Sequence, residues 1–236
     1  ADLDDDGDLD WLVSSIWMMF GPDWGNRLFR NDGGRRFTEI TEASGVLEAG
    51  WAWGAAFLDY DNDRDHDLAI TNGWAFAPHE DDAMRLYRHE GGLSFVDRAS
   101  EAGITDRGQG RAIVVFDPDE DGDLDLFVAR YGDTPLFLRN VRGNEASWLR
   151  VRVRSRTGAL EGLGARVTIR ETASSAPRVV VIGQTTHYLG QSERVAHFGL
   201  GEHEGTIAEV RAELPGGVVL TATDVPVRRV LELAEP

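Results

Sequence analysis

Asp117-Pro118-Asp119-Glu120-Asp121-Gly122-Asp123-Leu124-Asp125 reads D-x-D-x-D-G-x-x-D, and the chain carries close copies of it twice more. It opens on Asp2-Leu3-Asp4-Asp5-Asp6-Gly7-Asp8-Leu9-Asp10, and Asp59-Tyr60-Asp61-Asn62-Asp63-Arg64-Asp65-His66-Asp67 lies between the two. The three loops begin 57 and 58 residues apart, and the sequence around them repeats in step. Leu28-Phe29-Arg30-Asn31 answers Leu86-Tyr87-Arg88-His89, Phe37-Thr38-Glu39-Ile40 answers Phe95-Val96-Asp97-Arg98, and Trp53-Gly54-Ala55-Ala56-Phe57 stands opposite Arg111-Ala112-Ile113-Val114-Val115. A fixed period of this length marks a repeat architecture.

Within the middle unit, short apolar bursts at about 53–58, 67–72, 85–89 and 95–98 are separated by turn residues, which reads as four strands. Four antiparallel strands at this period is the arithmetic of a β-propeller blade. The first unit lacks its first strand and the third ends near Asn140 without a clear fourth, so the expected fold is all-β, a partial propeller of about 2.75 blades over residues 1–145. A closed propeller needs at least four blades. The chain also opens inside a repeat with no initiator Met, so we expect the C-terminal part of a longer protein. From Trp148-Leu149-Arg150-Val151-Arg152-Val153, where apolar residues alternate with Arg, the pattern changes. A half-buried strand there, and further strands at 165–170, 178–183, 194–198, 207–214, 217–222 and 229–233, predict a second domain, a small β-sandwich over 146–236.

The alternating aspartates suit calcium, which takes six to eight hard oxygen ligands in adaptable geometry. The metal-ligand candidates are Asp2, Asp4, Asp6, Asp8 and Asp10 in the first loop, Asp59, Asp61, Asp63, Asp65 and Asp67 in the second, and Asp117, Asp119, Asp121, Asp123 and Asp125 in the third. Position twelve is Val13, Ile70 or Val128 where an EF-hand has its bidentate Glu, and the flanks read as strands, so these are not EF-hands. A solvated acidic turn is the plain alternative for one such loop; three in phase argue against it. Magnesium fits less well because it demands strict octahedral geometry. Of about three calcium sites the middle one is expected to be weakest, since Arg64 replaces the glycine at a position needing positive φ and His66 replaces a leucine.

The formal charge of −17 comes mostly from these loops, which carry −6, −4 and −6. Such focused charge excludes nucleic acid as a partner for this half. No apolar stretch approaches a membrane span, and zero Cys rules out disulfides and thiol chemistry. The six histidines form no metal or triad spacing; His187 and His197 lie near Ser192 and Glu193, but no G-x-S-x-G elbow accompanies them, and structural roles are the expectation. No enzyme activity is expected. Aromatic inserts after the second strands, with Trp17, Phe20 and Trp24 in unit one and Trp74 and Phe76 in unit two, are candidates for binding a protein or glycan, or else for filling the space between blades.

Taken together, residues 1–145 resemble FG-GAP/VCBS repeats, the propeller blades of integrin alpha subunits and many secreted bacterial proteins, on Trp53-Gly54-Ala55-Ala56 and the Leu-Phe-Arg-Asn and Phe-Thr-Glu-Ile-Thr phrases. Residues 146–236 resemble the ASPIC/UnbV domain that follows such repeats, on Ser147-Trp148-Leu149, Gly162-Leu163-Gly164-Ala165-Arg166-Val167, Tyr188-Leu189-Gly190-Gln191-Ser192 and His197-Phe198-Gly199-Leu200-Gly201. Glu213-Leu214-Pro215-Gly216-Gly217 departs from the usual Trp-Pro-x-Gly turn. The resemblance implies a calcium-stabilised, extracellular, cell-surface or periplasmic module for recognition or adhesion. The alternative is a carbohydrate-binding or carbohydrate-active protein whose catalytic part lies elsewhere.

Overall fold

The computed structural model of the protein describes residues 1–16, 24–156, 160–184 and 186–236. Three antiparallel sheets follow one another through the repeat half. The first holds β1 (Trp11–Val13), β2 (Arg27–Asn31) and β3 (Phe37–Glu39) in that order, followed by a single helical turn, α1 (Thr41–Ser44). The second is four-stranded, β4 (Ala52–Leu58), β5 (Asp67–Asn72), β6 (Arg85–His89) and β7 (Phe95–Asp97); the third holds β8 (Gly110–Phe116), β9 (Asp125–Arg130) and β10 (Leu136–Leu138). The strand bounds expected for the middle unit are met to within one residue. Each sheet is open, so the repeat half is a row of small sheets.

The units copy one another in register as well as in order. Phe29 pairs with Glu39 and Asn31 with Phe37 in unit one. Tyr87 pairs with Asp97 and His89 with Phe95 in unit two, each 58 residues on. Because side chains alternate faces, a repeated register puts equivalent residues on equivalent faces. Adjacent sheets therefore pack through matching apolar sets. Leu28, Val46, Leu68, Ile70 and Phe95 form one cluster between units one and two. Ala69, Leu86, Ile113, Leu126 and Val128 form the next between units two and three.

After a short 3-10 turn (Gly143–Glu145) come β11 (Ser147–Arg154) and, beyond a second one (Leu160–Gly162), β12 (Arg166–Arg170), β13 (Arg178–Val181), β14 (Thr186–His187), β15 (Gly190–Gln191), β16 (Ala196–Gly201), β17 (Thr206–Glu213), β18 (Val219–Pro226) and β19 (Arg229–Ala234). They make a three-stranded sheet β16-β11-β19, a four-stranded sheet β13-β12-β17-β18 and the hairpin β14-β15. The two larger sheets enclose one core built from Leu149, Val151, Val153, Val167, Ile169, Phe198, Leu200, Ile207 and Val210.

One strand departs from expectation. β11 sends Leu149, Val151 and Val153 into that core, as its alternation requires. Its other face is not simply solvated, because Arg150 has no exposed side-chain surface. That face lies against the third acidic loop, which decides the character of the site below.

Candidate metal centre

Each loop links the first two strands of its unit, or their place in the sequence, and the three loops are built alike. Position four is left-handed in all of them, with φ of 55° at Asp5, 56° at Asn62 and 57° at Glu120. Position six is left-handed again, with φ of 92° at Gly7, 95° at Arg64 and 94° at Gly122. Arg64 thus adopts the glycine conformation, at a cost an L side chain does not escape. Its side chain is re-employed: Nε donates to the Leu200 carbonyl at 3.2 Å and Nη2 reaches Glu171 at 2.9 Å.

The aspartates divide the work by position. At position one, Asp2, Asp59 and Asp117 each accept the amide of position six through Oδ2, at 3.0 Å in all three loops. At position five, Asp6, Asp63 and Asp121 accept the amides of Asp8, Asp65 and Asp123 at 2.8, 3.1 and 3.0 Å. At position nine, Asp10, Asp67 and Asp125 accept amides of the third strand, from Asn31, His89 and Asn140. The motif therefore folds its own loop and leaves further carboxylate oxygens to converge. Asp2, Asp4 and Asp6 bring oxygens within 4.8 Å of one another, as do Asp117, Asp119 and Asp121; in the middle loop the group is Asp59, Asp61 and Asp67. Asp63 is not in that group, and Arg88 lies across this loop. Its guanidinium spans Asp61 at 2.8 Å and Asp63 at 2.5 Å.

The electrostatics ask for a cation. Burial, with the neighbouring carboxylates, pushes Asp2 up to about 6. Burial, with the Asp59 and Asp61 charges, outweighs two amide hydrogen bonds to lift Asp67 to about 9, and burial raises Asp59 and Asp117 as well. The Asp117 side chain is fully buried and its Oδ1 has no hydrogen-bond partner, and Asp61 Oδ1 is likewise unpartnered. Hard anionic oxygens gathered at this spacing, with orphaned buried lone pairs, fit a hard divalent ion such as calcium better than a transition metal. Asp8, Asp65 and Asp123 at position seven lie outside the three gathered groups.

The loops are partly covered by the rest of the chain, which sequence reasoning missed. The C-terminal domain sits on them through a row of arginines. Arg166 donates to the Gly7 carbonyl at 2.7 Å on the first loop. Arg178 donates to the Arg64 carbonyl at 2.6 Å and to the Gly199 carbonyl of its own domain. Arg150 pairs with Asp117 at 3.1 Å and with Glu193, whose carboxylate also accepts the Asp117 amide. In the middle loop Asn62 is the peg: its Nδ2 donates to the Gly122 and Gly143 carbonyls, and His197 bonds its Oδ1 at 2.6 Å. Gly199 is needed for this fit, since a Cβ there would come within 2.0 Å of Asp59 Oδ2. His66, where a leucine was expected, lines a cavity of about 40 Å³ with Asp59 and His197, and burial holds its imidazole neutral, down to about 3. The repeated Arg of Leu-Phe-Arg-Asn and the Arg face of β11 were visible in the sequence, but nothing local says which acid each one meets.

The aromatic candidates part company. Trp74 stacks on Trp51 at 4.8 Å and lies 5.7 Å from Trp53, with Arg111 over both Trp53 and Trp74. Phe76, edge-on to Trp74, is 69% exposed, and Trp24 is exposed on unit one. Trp17 and Phe20 lie outside the described residues.

Comparison with known proteins agrees with this two-part build. An FG-GAP-like repeat matches residues 2–70, and the family described as ASPIC and UnbV matches residues 156–236. The chain thus carries an FG-GAP-like repeat and an ASPIC and UnbV match, and it is homologous to cartilage acidic protein 1 at about 30% identity. Its relatives include cartilage acidic protein 1 of Xenopus tropicalis, 30% identical over 248 residues that cover 100% of this chain and 36% of that protein. Human cartilage acidic protein 1 is 33% identical over 156 residues, covering 64% of this chain and 23% of its own length. The chain thus spans about a quarter to a third of these curated relatives. The ASPIC and UnbV match starts after β11, yet β11 is the central strand of the three-stranded sheet of the C-terminal domain.

Proposed function

We propose that this chain is part of a calcium-stabilised recognition or adhesion module acting outside the cytoplasm, with its repeat units arranged as propeller blades and its metal structural. The observation that carries the reading is the triplicate acidic loop, each copy gathering three carboxylates within 4.8 Å where blade and C-terminal domain meet. In this reading Asp2, Asp4 and Asp6, Asp59, Asp61 and Asp67, and Asp117, Asp119 and Asp121 hold the ions, and the metal locks loop, blade and cap together. The FG-GAP-like match supports blades. The name of the relatives, which ties them to cartilage, supports an extracellular setting. No helix among the described residues is long and apolar enough to cross a membrane.

A non-catalytic role has its own support. Ser192 accepts the Val115 amide, Glu193 pairs with Arg150 and His197 bonds Asn62, so the three residues nearest a hydrolytic constellation serve three separate docking contacts. A second reading, glycan binding, is favoured by the exposed Phe76 beside the Trp51, Trp53 and Trp74 stack. Loss of glycan-array binding on Phe76→Ala, with no hydrolysis, would select it.

The main reading is tested by melting the chain in chelator and in millimolar calcium. A ligand bound only by the folded state at 100-fold its Kd adds about 2.7 kcal/mol, which in a chain of this size raises Tm by about 5–10 °C. An unchanged Tm overturns it.

A further inference from the structure

The three loops offer a comparison within one molecule, because their aspartates are equivalent and their third-strand arginines behave differently. Arg30, Arg88 and Arg139 each stand one residue before the Asn or His whose amide caps the position-nine aspartate. Arg30 pairs with Asp32, two residues on, at 2.8 and 2.7 Å, instead of spanning the carboxylates of its loop. Arg139 has Val141 in that place, and it reaches into its loop, 2.8 Å from Asp119 and 3.9 Å from Asp121, while staying 59% exposed. Arg88 has Glu90 at the same offset but only 3.3 Å away through Nη1, leaving Nε and Nη2 to bridge Asp61 and Asp63. The middle loop is also the one in which the position-five carboxylate has left the gathered group.

We propose that the third-strand arginine is a built-in cation that sets how tightly each loop takes calcium, and that Arg88 stands in for the metal in the middle loop. This rests on the calcium reading above. A guanidinium fork across two carboxylates makes two charge-assisted bonds. A divalent ion entering that loop must displace those bonds or sit beside a like charge. The first loop, whose arginine is held off by Asp32, then binds most tightly, the third next and the middle one least. The middle loop stays folded without metal because Arg88 holds two of its carboxylates. This differs from a weakness caused by Arg64, whose φ already matches those of Gly7 and Gly122.

The test is a calorimetric calcium titration of the whole chain and its variants, with terbium emission excited through Tyr60 to report on the middle loop. Arg88→Gln should add a site or tighten the weakest one by about tenfold. Arg88→Lys, which keeps the charge, should not, and Arg154→Gln, an exposed arginine paired with Glu232 away from the loops, should leave the titration unchanged. Asp32→Asn should weaken the tightest site several-fold by freeing Arg30. If Arg88→Gln folds poorly in chelator, calcium should restore its Tm to the parent value. Calcium uptake by the parent that Arg88→Gln leaves unaltered, or a lowered Tm that calcium does not rescue, overturns the inference while the calcium reading stands. No uptake by the parent or by any variant brings down both.

Discussion

The first and third loops spell nearly the same nine positions, fold to the same pair of left-handed residues and lie in different surroundings. In the first, Asp4, Asp5, Asp6 and Asp8 are exposed, and the C-terminal domain touches it through Arg166 on a backbone carbonyl and, at 3.7 Å, through Arg178 on Asp5. Positions one and nine are buried in both loops and position three is exposed in both, but in the third loop Asp123 at position seven is buried too, and Arg150, its side chain without exposed surface, pairs with Asp117. The motif builds the loop; the neighbouring domain determines how its charge is met. A free loop leaves its carboxylates to a diffusible ion. A roofed loop shares them with a fixed arginine, so that its metal and the docking of the C-terminal domain become one energetic unit.

The sharpest way to break the contrast is to remove the roof's charge. Arg150→Met should lower stability by about 3–5 kcal/mol in urea unfolding, because Asp117 and Glu193 are left beneath the domain without their partner. Arg166→Met at the first loop gives up one hydrogen bond to Gly7 and should cost only about 1 kcal/mol. Equal losses would mean that the two loops are docked alike.

Titration gives the next effect. Asp2, near 6, and Asp67, near 9, hold protons in the folded chain at pH values where the unfolded chain has released them. Through these two groups the folded state binds more protons between about pH 4 and pH 9, so their contribution to metal-free stability falls as pH rises, while His66, held neutral down to about 3, acts in the opposite sense below about 6.5. Saturating calcium should flatten the slope, since the ion replaces the protons. Melting curves at pH 8 and pH 9 in chelator, above the range in which His66 contributes, decide it, and a higher Tm at pH 9 would contradict the burial of Asp67. The smallest effect is Arg64→Gly. It relieves a side chain at φ of 95°, worth about 1 kcal/mol. It also gives up an ion pair with Glu171 worth at most about 0.5 kcal/mol. Losing the Nε bond to the Leu200 carbonyl costs about 1 kcal/mol more, so a net loss of about 0.5 kcal/mol is expected, and a gain would show that relief of backbone strain outweighs docking.

Much of the fold was legible in advance because repetition amplifies weak signals. A single burst such as Leu86-Tyr87-Arg88-His89 is ambiguous; two copies 58 residues apart, each followed by a turn and a Phe, define β6 and β7 with their register. The loops were legible for a similar reason, since carboxylates at alternate positions around a left-handed turn are a local device closed by bonds within nine residues. What stayed hidden was which residue faces which loop. Arg150 and Leu149 are neighbours on one strand, and alternation assigns one to the core and the other outward. It does not say that outward means against Asp117. Asn62 looked like filler at position four and proves to be the peg that holds Gly122, Gly143 and His197.

The sequence alone determined the three-unit repeat and the strand positions and nominated fifteen aspartates, because each depends on a local spacing or on a period that can be counted. Only the tertiary structure decided that the acidic loops are an interface, that Arg88 spans the middle one and that Arg150 is buried on the third. Ion pairs between residues 25 to 33 positions apart, or between domains, depend on where the backbone brings two charges, and Coulombic attraction carries no trace of that distance in the order of the residues.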